Sequence, residues 1–97
     1  MNLDKSVFKS AIDQWGRDSQ LACAMEECGE LISAISKYFF RDRCPITDVA
    51  QEIADVEIIC GLLRTMVGDG LVDYYKDQKF ERLRKRVANG HHSKDNS

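Results

Sequence analysis

The chain has 97 residues, 43% of them apolar and 31% charged, enough for one domain with a core and too few for two. That balance excludes a disordered chain. It also excludes a membrane protein, because no apolar run approaches the roughly 20 residues of a bilayer span, and no export signal is recognisable, so the cytoplasm is the expected address. The formal net charge of −2 points to no partner, since acids crowd the middle of the chain while "KFERLRKRV", Lys79 to Val87, is strongly basic. A chain this short buries only about two thirds of its unfolded surface, which makes self-association an expectation.

The periodicity is helical nearly throughout, which predicts an all-α fold of four helices without strands. The first helix is expected from about Leu3 to Trp15, with Val7, Phe8, Ala11, Ile12 and Trp15 on one side and Gly16 as its stop. The second runs from about Asp18 to Phe40, and "RDRCP" follows as a loop that Pro45 closes. Thr47 or Asp48 is the expected cap of a third helix reaching about Val67. "GDG" at 68–70 breaks the chain before a fourth helix from about Leu71 to Val87, where Val72, Tyr75, Phe80, Leu83 and Val87 fall at helical spacing. Residues 1–88 thus read as one domain and 89–97, "NGHHSKDNS", as a disordered tail. The four cysteines, Cys23, Cys28, Cys44 and Cys60, contain no C-x-x-C pair and read as reduced, mostly buried thiols.

Chemistry concentrates in "AMEECGELISAI", Ala24 to Ile35, which sets three carboxylates in five residues of an otherwise apolar run. At about 100° per residue, Leu21, Met25, Cys28, Ile32, Ile35 and Phe39 form an apolar stripe, the side expected to pack in the bundle. Glu27 and Glu30 lie off it, on a strip with Cys23 and Ala34, where small neighbours leave room and two like charges repel. On the third helix, "IADVEIICGLL", Ile53 to Leu63, is apolar almost all round, so largely buried, and Asp48, Glu52 and Asp55 lead at helical spacing into Ile59, Leu62 and Met66. A partly buried carboxylate must be protonated, paired with a base or bound to a cation, and no basic residue lies between Arg43 and Arg64. Two antiparallel helices, each offering carboxylates three apart, would place four oxygen ligands around one volume. Such a set suits magnesium, with manganese as a substitute. Di-iron bundles want Glu-x-x-His, and the only histidines are His91 and His92.

"EECGELISAISK" followed by "QEIADVEI" resembles the MazG-like group of the all-α nucleoside triphosphate pyrophosphatases. The family's Glu-x-x-Glu and Glu-x-x-Asp are met by Glu27, Glu30, Glu52 and Asp55, and "WGRDSQLACAMEE" is similar to the segment upstream. The resemblance implies a four-helix MazG-like bundle assembled as a homodimer or dimer of dimers. It implies Mg2+-dependent hydrolysis of a nucleoside triphosphate between the α and β phosphates, releasing the monophosphate and pyrophosphate. The four carboxylates would hold the metal, with Glu27 or the adjacent Glu26 orienting the attacking water. Lys37 is similar to a lysine that meets phosphate in the family, and Trp15 to an aromatic near its base pocket. A solvated lysine at a helix end and a core tryptophan are the plainer readings of these two. The short C-terminus departs from larger members, which carry further helices around the base. Two other readings remain: a non-catalytic helical interaction module using an acidic surface, and a nucleic-acid contact through "KFERLRKRV", against which stands the absence of a recognition motif.

Overall fold

The computed structural model describes residues 4–90, and among them there are helices and no strand. Helix α1 spans Lys5–Trp15, α2 Arg17–Ile35, α3 Ile46–Val67 and α4 Asp69–Ala88. The expected start at Leu3 and the tail from His91 onward lie outside the described residues; Asn89 and Gly90 form a turn after α4. Contacts group the chain into two units, Met1–Met66 and Val67–Ser97.

Each junction has a local cause. Asp4 caps α1 by accepting from the Ser6 backbone N–H at 3.0 Å and from the Ser6 hydroxyl at 2.7 Å; these bonds hold its carboxyl below the usual aspartate value. Gly16 ends α1 and starts α2 in one residue at φ 91°, a backbone angle that a side chain would strain. Gly68, at φ 119°, is likewise the sole residue between α3 and α4. Asp69 and Gly70 therefore belong to α4, where the sequence suggested a three-residue break. Helix α3 begins at Ile46, so Thr47 and Asp48 sit in its first turn instead of capping it, and the Asp48 N–H donates to the Pro45 carbonyl at 3.0 Å. The second helix changes from α to π over Ser36–Phe40, a five-residue segment that apolar spacing does not distinguish from continued α-helix.

In the first unit, the buried apolar side chains are Phe8, Ala24, Ala34, Val49 and Leu62, joined by Gln20. The face that α2 packs is therefore Gln20, Ala24, Glu27, Leu31 and Ala34, spaced four and three apart. The stripe expected to pack is instead exposed, with Met25 at 71% and Ile32 at 69%. The α3 expectation is corrected similarly: Ile46, Ile53, Ile58 and Cys60 are exposed in the single chain. Cys23 and Cys28 are exposed too, so the reading of mostly buried thiols fails.

Phe8 reaches its buried place because Gly61 has no side chain. A Cβ at Gly61 would lie 2.5 Å from Phe8 Cζ and 2.6 Å from Cε2, well inside contact distance. In an ordinary helix interior, Gly→Ala would stabilise by about 1 kcal/mol. Here Gly61→Ala is expected to destabilise by about 1–3 kcal/mol through overpacking, measured by urea denaturation. Unchanged or raised stability would show that the ring relocates freely.

Candidate metal and nucleotide site

Helices α2 and α3 meet along their carboxylates. Glu27 interacts with Asp55, and Glu30 with Glu52; the lower number on one helix meets the higher on the other, so the helices run antiparallel. One carboxylate oxygen each from Glu27, Glu52 and Asp55 lies within 4.8 Å of the others, as do oxygens of Glu26, Glu27 and Glu30. The two clusters share Glu27. Glu27 and Glu52 are half-buried, whereas Glu26, Glu30 and Asp55 are exposed.

That packing leaves two oxygens in want of a partner. Glu27 Oε2 and Glu52 Oε2 are buried without a hydrogen bond. Burial, followed by the charges of Glu30, Asp55 and Glu52, pushes the Glu27 carboxyl above the usual glutamate range. Burial, followed by Glu30 and Asp55, does the same to Glu52. A proton on Glu27 beside Asp55, or on Glu52 beside Glu30, would relieve part of the like-charge repulsion. The donor set fits a hard divalent ion: it is all oxygen, carried by two rigid helices, with two lone pairs already desolvated and unpaired.

Beside the carboxylates lies a pocket of about 340 Å³, lined by Glu30, Glu52, Asp48 and Lys37 together with Ser33, Gln51, Ala34 and Cys44. The structure thus brings five of the expected residues to one seam: Glu27, Glu30, Glu52, Asp55 and Lys37. Trp15 ends α1 at 60% exposure, which removes the core reading within this chain, and it is not among the residues lining the pocket. Sequence reasoning missed Ser33, Gln51 and Cys44 as pocket residues. Ser33 was accessible in principle, since it lies three residues after Glu30 and four before Lys37, on the same side of the helix. Cys44 comes from the loop, where no periodicity operates.

The raised carboxyls have a sign that can be tested. A group with a raised folded pKa contributes stability below its unfolded value, and that contribution disappears as pH rises through the folded value. The metal-free chain should therefore lose stability at this cluster as pH rises above the usual glutamate range. Glu52→Gln, which removes the charge and keeps the shape, is expected to raise the melting temperature of the chelator-treated protein at pH 7, with the difference vanishing near pH 4. A lower melting temperature at pH 7 would contradict the assigned repulsion.

Comparison with family models, with curated proteins and with solved structures finds no match for this chain.

Proposed function

We propose that this chain is a Mg2+-dependent nucleoside triphosphate pyrophosphohydrolase of the MazG-like kind, with residues 1–88 acting as one domain. The observation that carries the reading is the convergence of Glu27, Glu30, Glu52 and Asp55 from two antiparallel helices, two of them with buried, unpartnered oxygens. Half-burial of Glu27 and Glu52 favours an ion site over an acidic protein-binding surface, where carboxylates would be ringed by solvated polar groups. The resemblance of "EECGE" and "QEIAD" to the family's paired motif supports the same conclusion.

These four carboxylates would hold magnesium, with manganese able to replace it. Bound there, the ion supplies neutralisation of the phosphates and acidifies water. Glu27, or Glu26 beside it, orients a water for in-line attack on the α-phosphorus and accepts its proton. The bond from that phosphorus to the bridging oxygen breaks, and pyrophosphate leaves as the nucleoside monophosphate forms. Lys37, the one cation among the described residues that line the adjacent pocket, would meet phosphate oxygens. Trp15 is assigned to stacking against the base, for which its exposure leaves the ring face open. The large apolar side chains exposed on the single chain support self-association, as a dimer or a dimer of dimers. Among the described residues, no helix is long and apolar enough to cross a membrane.

The test is release of pyrophosphate and monophosphate from a panel of ribo-, deoxyribo- and modified nucleoside triphosphates with Mg2+ or Mn2+. Wild type is expected to hydrolyse at least one member, and Glu52→Gln to lose about 100-fold or more in rate while remaining folded. Lys37→Ala is expected to raise KM more than it lowers kcat, as loss of a ground-state phosphate contact should. Silence across the panel would replace this reading with the interaction module.

A further inference from the structure

The pocket beside the carboxylates holds three hydrogen-bond donors that the fold does not use. Among the described residues, no hydrogen bond or ion pair engages the side chains of Ser33, Lys37 or Gln51, yet all three line the same space of about 340 Å³. An ammonium, a hydroxyl and an amide are thus gathered with their protons uncommitted. The hydrolytic reading above gives a part to Lys37 and none to the other two.

Their order along the helices carries the argument. On α2, Ser33 lies about 4.5 Å beyond Glu30, and Lys37 about 10 Å beyond it on the same side. Side chains on a helix lean toward its N-terminus, so the long stem of Lys37 returns its ammonium toward the level of Ser33. Helix α3 runs the other way, and Asp48 and Gln51, which precede Glu52, come to the same end of the seam. The seam therefore changes character along its length. Glu27 and Asp55 come first, Glu30 and Glu52 next, and the donors last, as the chain nears the loop at 41–45.

Charge narrows what enters. Lys37 is opposed in the pocket by Glu30, Asp48 and Glu52, so a bare anion meets net repulsion there. A phosphate chain that arrives with a divalent ion answers this. The ion offsets the acids, and the phosphate oxygens it leaves uncoordinated accept from the ammonium, the hydroxyl and the amide.

We propose that Ser33 and Gln51 join Lys37 in holding the pyrophosphate that leaves, so that the triphosphate lies along the seam with its terminal phosphates toward the 41–45 loop. This rests on the hydrolytic reading above and adds to it two residues and a direction. The nucleoside then points the other way, toward the end of α2 that Trp15 precedes. Neither residue bonds to phosphorus or takes a proton. Each donates to the oxygens that gain charge as the bond from the α-phosphorus to the bridging oxygen breaks.

The test is calorimetric titration of the full chain, first with Mg2+ alone, then with inorganic pyrophosphate in excess Mg2+ and again in chelator. Wild type is expected to bind Mg2+, and to bind pyrophosphate only when Mg2+ is present. Ser33→Ala and Gln51→Ala place the best helix former at helical positions and should stay folded, which circular dichroism checks. Each is expected to bind pyrophosphate about 10-fold more weakly, as loss of a hydrogen bond to a charged group does, with Mg2+ affinity unchanged. Pyrophosphate held by either variant as by wild type overturns the assignment of that residue, and held so by both it overturns the subsite. Pyrophosphate that binds equally well in chelator, or not at all to a chain that binds Mg2+, also overturns the subsite. So does a variant that loses Mg2+ along with pyrophosphate, because its residue then serves the metal seam. In each of these cases the wild-type metal site stands. Absence of Mg2+ binding by wild type overturns the hydrolytic reading and the subsite together.

Discussion

Glu27 and Glu52 are held half-buried among like charges between two antiparallel helices, and the chemistry of the seam follows from that constraint. Coulomb repulsion at such separations is strong once water is partly excluded, and the helices fix the groups so that they cannot move apart. Burial and the neighbouring acids favour a proton on Glu27 and on Glu52, which would relieve part of that repulsion. Even so, Glu27 Oε2 and Glu52 Oε2 stay buried and unpaired, a cost that a packed protein does not ordinarily accept without function. Two small residues flank the acids on the same side of α2. Ala24 and Ala34, on either side of the acids, are both buried.

The same constraint accounts for what was legible in the sequence. That Glu27 and Glu30 share a side of one helix, and Glu52 and Asp55 a side of another, could be read from spacing, because residues three apart on a helix share a side whatever the tertiary structure does; that the two sides meet came from the family resemblance. Helix existence was legible for the same reason, and glycine at 16 and 68 marked the breaks. The packing side of α2 was not. An apolar stripe is ordinarily assigned to the core of its own chain, yet Met25, Ile32 and Phe39 face out and the acid-bearing line packs inward. Periodicity reports which residues avoid water, not which molecule shelters them. The π segment at 36–40 and the pocket residue Cys44 were illegible because a change of hydrogen-bond ladder and a loop's course leave no periodic trace.

Exposed apolar surface and the acidic seam belong to different sides of the α2–α3 pair, so assembly and chemistry need not compete for the same residues. A chain of this length gains little from its own interior, with five apolar side chains buried among the described residues, and the proposed self-association would supply further burial.

The central claim is that the carboxylate seam is a hard-cation site that holds protons when metal is absent. Calorimetric titration of Mg2+ into the full chain near pH 6, repeated in buffers of different ionisation enthalpy, tests both halves together. The account predicts binding accompanied by proton release, with both lost in Glu52→Gln. Absence of binding, or binding that releases no protons and survives Glu52→Gln, would contradict it.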